Sequence, residues 1–463
     1  MKILGIILII LIEILLINVL INFSIEAVSF IVAITLLLSG IIIISHFSDS
    51  KNKSFLIWLF FTGFMIRVVV AIFTYYFNFT EYLAPDTYTY DLIGSEIAKY
   101  WHKQIPEYSE WVADSLKRGR GFAYVVGIFY YIVGNNLLAF QIFNSALGAL
   151  NSILIFWITK EIFNQEVAKR AALLTMFFPS LILWSSQGMK EPLVIFSIIL
   201  SIFSVLKLQD KFSFKYIFLI IIVFLIIRLT RKYILFVLIP VTLIVLFIGR
   251  KNLTINKFVQ QTFFIILFGL LSFYLGGENI LLSQSYMSDI PNLETISNYR
   301  RGLTSGADSS FATNADISSP TKAITFLPIG FLYLMLAPFP WDMVKIRQLI
   351  TLPEMLIWWG LIPYIFIGIK FSIKQNLRKT AAIILFLIGL TLGYSLTQGN
   401  VGTAYRQRSQ LIMFFLIFGA TGWTVVKNKH LKQPFIFEYE EKEDNKLIED
   451  QYNKYPYIYY RRN

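Results

Sequence analysis

Long apolar runs divide this chain of 463 residues into a series of similar segments. Four of them lie at 3–21, 27–44, 55–77 and 258–275. As α-helices, each is long enough to cross about 30 Å of hydrocarbon, and only helices and closed barrels satisfy their own backbone polar groups there. Hydrophobic residues make up 56% of the chain and charged residues 15%, which is more apolar sequence than a soluble core holds. We therefore expect an all-α, polytopic transmembrane helical bundle.

Lysines and arginines in the short loops indicate which face of the membrane is cytoplasmic, because short cytoplasmic loops carry an excess of them. One assignment places most loop cations on the inner face: Lys51, Lys53, Lys160, Lys169, Arg170, Lys207, Lys211, Lys215, Arg250, Lys251, Lys257, Lys370, Lys374, Arg378, Lys379, Lys427, Lys429 and Lys432. It uses about twelve crossings and leaves both termini in the cytoplasm. The run at 3–21 has no small-residue cleavage site and another run follows at once, so we expect a retained helix and not a signal peptide.

Two apolar stretches must stay on the outer side for this topology to hold. The stretch 122–133 is short, and the stretch 323–340 contains the helix-breaking residues Pro328, Pro338 and Pro340. We expect both stretches to lie in the outer interface or to re-enter without crossing. The chain then divides into an extra pair of spans at 1–50, a core at 51–426 with outer loops at 78–121 and 276–322, and a flexible cytoplasmic tail at 427–463.

Cations on the outer face contradict the usual charge distribution of membrane proteins. They are Lys190, Arg228, Arg231, Lys232, Arg300, Arg301, Arg406 and Arg408. A charge within or beside a span is costly and usually has a partner. These residues either bind anionic headgroups and local carboxylates such as Glu191, or share one anionic ligand. We favour the shared ligand.

Asp86 is the candidate catalytic residue. After Pro85 the sequence predicts a surface helix with Asp86 near its start, where the helix dipole favours a carboxylate. Asp86 is either a helix cap or a general base, and its position beside the outer cations favours the base. A carboxylate can take a proton from a sugar hydroxyl while guanidinium groups hold a phosphate leaving group. Asp91, five positions further on, could assist a metal ion or solvate the helix, and we favour the second interpretation.

Seven further residues are candidates for binding the substrate and its phosphate: Lys190, Glu191, Arg228, Arg231, Arg300, Arg406 and Arg408. Lys190 and Glu191 are either a local ion pair in a hairpin, or Lys190 reaches the phosphate and Glu191 contacts the sugar. Arg228 and Arg231 either lie on one helix face, whose spacing they have, or form the hairpin between two spans. Arg67 lies within a span, so we expect it to extend towards the interface or to pair with a carboxylate of another helix.

Several classes of function are excluded by what the sequence lacks. There is no cysteine, and the three histidines, His46, His102 and His430, form no spaced pair of metal ligands. No phosphate-binding loop, dinucleotide fingerprint or zinc-peptidase motif is present, so we expect neither a metal nor a cofactor. The net charge of +13 is dispersed between apolar spans, which favours contact with the lipid bilayer over nucleic acid.

Residues 55–235 resemble a known family. "PDTYTYDLIGSEIAKYW", followed by "FPSLILWSSQGMKEPLVIF", is similar to the N-terminal half of GT-C-type glycosyltransferases, which include dolichyl-phosphate-mannose protein mannosyltransferases and aminoarabinose transferases. The resemblance implies an extracytoplasmic site, a polyprenyl-phosphate-linked sugar donor and a loop carboxylate as base, which maps to Asp86. Two features depart from the family: the extra pair of spans, and Thr87 in place of a second acid after Asp86.

The C-terminal half has a second resemblance. "LPIGFLYLMLAPFPW" and "GTAYRQRSQLIMFFLIFGATG" are similar to bacterial surface-polysaccharide polymerases and ligases. That resemblance implies outer-face arginines that hold a lipid pyrophosphate without a metal ion.

Together these patterns predict an inner-membrane glycosyltransferase of bacterial cell-envelope polysaccharide. It would transfer a sugar or oligosaccharide from an undecaprenyl phosphate or pyrophosphate carrier to a hydroxyl of a glycan or lipid acceptor on the outer face. The alternatives are a repeat-unit polymerase, a lipid-linked oligosaccharide flippase and a non-catalytic assembly partner. Against the flippase, the sequence has no convincing internal repeat, and the ionisable residues gather at one face.

Overall fold

The computed structural model describes residues 24–248, 259, 263, 293–305, 309–342, 351–431, 435–439 and 458–462. The predicted span at 3–21 lies outside the described residues. So does the predicted span at 258–275, except for its positions 259 and 263.

Helices make up nearly all of the described chain. They are α1 (Ile25–Phe47), α2 (Ser50–Tyr76), α3 (Phe79–Leu83), α4 (Asp86–Trp101), α5 (Glu110–Lys117), α6 (Phe122–Val133), α7 (Leu137–Ile162), α8 (Gln165–Phe177), α9 (Pro179–Ser185), α10 (Glu191–Asp210), α11 (Phe214–Arg231), α12 (Leu235–Ile248), α13 (Leu293–Thr304), α14 (Pro320–Leu336), α15 (Leu352–Thr397) and α16 (Val401–His430). Short 3-10 turns lie at Lys232–Ile234 and Pro340–Asp342. The predicted all-α class is confirmed, with one small addition: β1 (Phe435–Tyr439) and β2 (Ile458–Arg462) form a parallel pair within the predicted tail.

Several helices have the length and apolar composition of membrane spans. Within the described residues, α1, α2, α7, α10, α15 and α16 qualify singly, and α8 with α9 forms a seventh candidate that bends by 58°. The bend falls where Pro179 begins α9. The largest hydrophobic core lies among α7, α10, α11, α12, α15 and α16, while α1 and α2 pack on α7 and α8.

The longest helix among the described residues, α15, is long enough to form two spans. Its 46 residues extend well beyond the roughly 30 Å of a bilayer core. Asn376 has non-helical backbone angles, φ −149° and ψ 47°, and divides α15 into two arms. Successive contacts with α16 show that the arms run in opposite directions: Glu354–Tyr405, Tyr364–Trp423, Phe386–Phe414 and Tyr394–Gln410.

The two stretches that were predicted not to cross correspond to α6 and α14, and both make contacts at the same end of the bundle. The start of α6 packs on the carbonyl of Leu229 near the end of α11, and Asn136, just beyond its end, donates to the carbonyl of Ile25 at the start of α1. Helix α14 packs through Gly330 on Ser395, near the end of α15. We call this end, which the sequence predicts to be extracytoplasmic, the outer end.

A network of ion pairs ties the helices together at the opposite, inner end. The Nζ atom of Lys379 lies 2.6 Å from Asp210 and 3.3 Å from Glu161. Lys207 also pairs with Glu161, at 2.7 Å. Because Glu191 and Asp210 are the two ends of the 20-residue helix α10, about 30 Å separates this network from the outer end.

Close backbone packing between α15 and α16 gives a test of this arrangement. A Cβ atom at Gly422 would overlap the carbonyl oxygen of Tyr364, whereas Gly360 has open space around it. We expect Gly422→Ala to lower the free energy of unfolding by about 1–3 kcal/mol, the usual cost of overpacking. Gly360→Ala is the control and should be neutral or slightly stabilising. Thermal unfolding in detergent measures both, and equal effects would contradict the packing.

Candidate functional site

Five charged side chains from separate parts of the chain meet at the outer end. Asp86 begins α4, Lys190 precedes α10, Glu191 begins α10, Arg231 ends α11, and Arg406 lies in the second turn of α16. All five are residues that the sequence predicted for the site. We call them the outer charge cluster.

Two arginines share one carboxylate at the centre of the outer charge cluster. Glu191 accepts a hydrogen bond from Arg231 through Oε1, and the Nε atom of Arg406 lies 3.3 Å from the same oxygen. Arg406 also donates to Oδ2 of Asp86 at 2.7 Å. Arg231 donates in addition to the hydroxyl of Tyr233. The ion pairs therefore form a continuous series from Arg231 through Glu191 and Arg406 to Asp86.

Along this series of ion pairs, the side chains become more exposed from Glu191 to Asp86. The side chain of Glu191 is completely buried, that of Arg406 is 20% exposed, and that of Asp86 is 48% exposed. Only the Asp86 end can therefore be reached freely from outside. Glu191 lies beneath the two arginines, and this position does not fit the predicted contact with a sugar.

The outer charge cluster has an excess of positive charge. Three cations, Lys190, Arg231 and Arg406, stand against two carboxylates, Asp86 and Glu191, which leaves one positive charge when Lys190 is protonated. Buried charge without a counter-charge is costly. The arrangement therefore suits the binding of one further anionic group.

Lys190 can change its charge near neutral pH. Its Nζ atom lies 5.9 Å from the centre of the Tyr90 ring. Burial and the nearby charge of Arg231 lower the pKa of Lys190 to about 7, although Glu191 and Asp86 oppose this shift. A bound anion would stabilise the protonated form of Lys190.

A buried turn from 186 to 190 places Lys190 and Glu191, and α7 holds it. The Nδ2 atom of Asn144 donates to the carbonyls of Gln187 at 2.7 Å and Met189 at 2.8 Å. Two helical turns further along α7, the Nδ2 atom of Asn151 donates to the carbonyl of Pro192 at 3.1 Å. Buried carbonyls need such partners, so these two amides let the chain turn within the protein.

Sequence reasoning missed Asn144 and Asn151. The sequence does contain a signal for them. Inside an apolar span, "FNSALGALNS" places Asn144, Gly148 and Asn151 four and three positions apart, which is the spacing of one helix face.

Three predicted phosphate ligands lie outside the outer charge cluster: Arg228, Arg300 and Arg408. Arg408 is completely buried and donates to the carbonyls of Met335 at 2.9 Å and Ala337 at 2.8 Å, at the C-terminal end of α14. Arg300 donates to the carbonyls of Phe311 and Ala312. Both guanidinium groups therefore satisfy backbone carbonyls, as helix ends and buried loops require. Arg228 lies one turn before Arg231 on α11 and is half-buried.

Arg67 and Asp91 differ from their predictions. Arg67 is completely buried and donates to the Ser185 hydroxyl and the Gly63 carbonyl, both at 2.9 Å. Among the described residues it neither reaches the interface nor pairs with a carboxylate. Asp91 does not solvate α4, because its carboxylate accepts a hydrogen bond from Tyr130 of α6. Partial burial raises the pKa of Asp91.

No group of three or more His, Asp or Glu side chains that could hold a metal ion occurs in the part of the chain that the structure describes.

Comparison with known proteins supports the resemblance to GT-C-type enzymes. A family model described as dolichyl-phosphate-mannose-protein mannosyltransferase matches residues 117–274. With its apolar spans the chain is a multi-pass membrane protein, and the match indicates a membrane glycosyltransferase of the GT-C type. The matched range includes Lys190, Glu191 and Arg231 but not Asp86 or Arg406. A search of curated proteins finds no match.

The shared carboxylate of Glu191 gives a second prediction. Glu191→Gln would leave Arg231 and Arg406 buried without their counter-charge, so we expect the free energy of unfolding to fall by about 3–5 kcal/mol. Glu166→Gln is the control, because Glu166 forms an exposed pair with Arg170 that contributes at most about 1 kcal/mol. Denaturant unfolding in detergent compares the two variants. A loss for Glu191→Gln no larger than for the control would show that the arginines do not depend on this carboxylate.

Proposed function

We propose that this protein is a bacterial inner-membrane glycosyltransferase of cell-envelope polysaccharide. It transfers a sugar or oligosaccharide from an undecaprenyl-phosphate-type carrier to a hydroxyl of a glycan or lipid acceptor on the extracytoplasmic face. The observation that carries the proposal is the pairing of the exposed carboxylate Asp86 with Arg406, within a cluster that has one excess positive charge. A base and an anion-binding group thus adjoin at the surface of the bundle.

The phosphate of the donor would bind to Lys190, Arg231 and Arg406. Guanidinium groups bind phosphate through paired hydrogen bonds, and both arginines are already held by Glu191. In this role Glu191 positions the arginines and does not touch the sugar. Arg228, one turn away on α11, is a further candidate ligand for the phosphate.

Donor binding would also free the base. While Arg406 pairs with Asp86, the guanidinium neutralises the carboxylate. A phosphate that takes over Arg406 releases Asp86 to accept the proton of the acceptor hydroxyl. The acceptor oxygen then bonds to the anomeric carbon, the bond from that carbon to the phosphate oxygen breaks, and the arginines neutralise the charge of the leaving phosphate.

The charge of the outer charge cluster favours a donor with a single phosphate. A phosphodiester carries one negative charge, which the outer charge cluster balances without Arg228, whereas a pyrophosphate diester carries two and would need Arg228 as well. The arginines Arg300 and Arg408, which could have served a second phosphate, donate to backbone carbonyls instead. Both observations favour a transferase over the alternative of a repeat-unit polymerase that uses a pyrophosphate-linked donor.

Lipid-linked glycans in cells test the function. In a strain that lacks this gene, we expect mass spectrometry to find an undecaprenyl carrier with its sugar retained and an undecorated acceptor. Complete single repeat units would indicate a polymerase, or a flippase if they stay on the inner leaflet, and no change in any lipid-linked glycan would contradict the proposal.

Complementation of that strain tests the base. Asp86→Asn should reduce transfer by a factor of about 10²–10⁴, the usual contribution of a general base, while the protein still inserts. Asp91→Asn on the same helix is the matched control and should restore transfer, because Asp91 bonds to Tyr130 away from the outer charge cluster. Full complementation by Asp86→Asn would remove Asp86 from the mechanism.

The ionisation of Lys190 predicts a pH dependence of donor binding. Protonated Lys190 binds the phosphate, and its pKa is about 7. The KM for the donor should therefore be low below pH 7 and rise as the pH increases through that value, since a phosphodiester does not itself titrate there. Lys190→Arg, which stays charged, should flatten the profile. A Lys190→Arg enzyme with the wild-type rise would show that another group is responsible.

A further inference from the structure

The side chain of Thr87 fills the space beside Gly188, next to the outer charge cluster. A Cβ atom at Gly188 would lie 2.6 Å from the Cγ2 methyl of Thr87 and 3.3 Å from a methyl of Leu137. Thr87 is completely buried and follows Asp86 in the first turn of α4. The methyl group of Thr87 therefore packs directly against the backbone of Gly188. Any other amino acid at position 188 would place its Cβ atom too close to this methyl group.

The Gly188 side of this contact is firmly held. Asn144 binds the carbonyls on both sides of Gly188, those of Gln187 and Met189. The side chain of Gln187 also donates to the Thr74 hydroxyl at 3.0 Å. The turn thus cannot move away from Thr87 without the loss of several buried hydrogen bonds, each of which is costly to leave unmade.

The Thr87 side is held by packing. The hydroxyl of Thr87 is buried, and it has no hydrogen-bond partner among the described residues. No side chain caps the start of α4, which follows Pro85. The methyl contact with Gly188 therefore helps to place the first turn of α4, and with it Asp86, together with the backbone hydrogen bond from Thr87 to the Ala84 carbonyl at 2.9 Å.

We propose that Gly188 and Thr87 are positioning residues, whose contact sets the Asp86 carboxylate at the correct distance from the phosphate-binding cations. The turn that contains Gly188 continues into Lys190 and Glu191, and Thr87 is bonded to Asp86, so one contact joins the base to the donor site. This inference rests on the proposed function. It goes beyond that function because neither residue touches the substrate.

An exchange of methyl groups across the contact tests the inference. Gly188→Ala places a methyl where the Thr87 methyl already lies, so it should displace Asp86 and lower kcat about 10- to 100-fold, since a misplacement of about 1 Å can cost that much. Thr87→Ser removes the Thr87 methyl and leaves a gap, so it should lower kcat less. The double variant, in which the methyl introduced by Gly188→Ala fills that gap, should recover most of the wild-type kcat. In all three, the KM for the donor should change much less than kcat.

Controls separate positioning from general damage. Gly302→Ala is the matched glycine control, because Gly302 has open space around it, and it should keep the wild-type kcat. In an Asp86→Asn background, Gly188→Ala should cause no further loss, because its effect passes through Asp86. Thr87→Ser introduces no clash, so this variant and the double variant remain measurable even if Gly188→Ala folds poorly.

The failures of the inference and of the proposed function give different results. If the double variant is no better than Gly188→Ala, or if Gly188→Ala reduces the residual rate of Asp86→Asn as strongly as it reduces the wild-type rate, the positioning contact is contradicted while Asp86 remains the base. If Asp86→Asn itself retains full activity, the proposed mechanism is contradicted, and the inference is overturned with it.

Discussion

A completely buried carboxylate, Glu191, holds two arginines at the outer end of the bundle. An ion pair of this kind is stable only when its geometry and its other hydrogen bonds compensate for the loss of water. The position of the pair depends in turn on α7, because Asn144 and Asn151 of that helix bind the backbone on either side of Lys190 and Glu191. The placement of the cluster thus depends on amides deep inside the bundle.

Charge at the two ends of α10 serves two different purposes. At the inner end Lys207 and Lys379 share Glu161, and Lys379 also pairs with Asp210, which ties the hairpin of α15 to its neighbours. At the outer end the cations exceed the carboxylates, and the outermost carboxylate, Asp86, is half exposed. The first arrangement holds the helices together, whereas the second is the place where we propose that the phosphate of a lipid-linked donor binds.

Apolar runs in the sequence predicted the helical class. Charges beside those runs pointed to the residues that meet in the outer charge cluster, because a charge beside an apolar span is rare and costly. They failed for Arg408 because residues two positions apart in a helix lie about 200° apart around its axis. Arg406 and Arg408 therefore face opposite sides of α16. They also failed for Asn144 and Gly188, because the carbonyls that Asn144 binds and the Thr87 methyl that lies beside Gly188 belong to other segments of the chain.

The exchange of partners by Arg406 is the central claim, and one structure tests it directly. Cryo-electron microscopy of the protein in nanodiscs with a polyprenyl-phosphate sugar should show phosphate density bound by Lys190, Arg231 and Arg406. In the same map Asp86 should be separated from Arg406 and face the bound sugar. Phosphate density elsewhere, or an intact pair between Asp86 and Arg406 beneath a bound donor, would contradict the account.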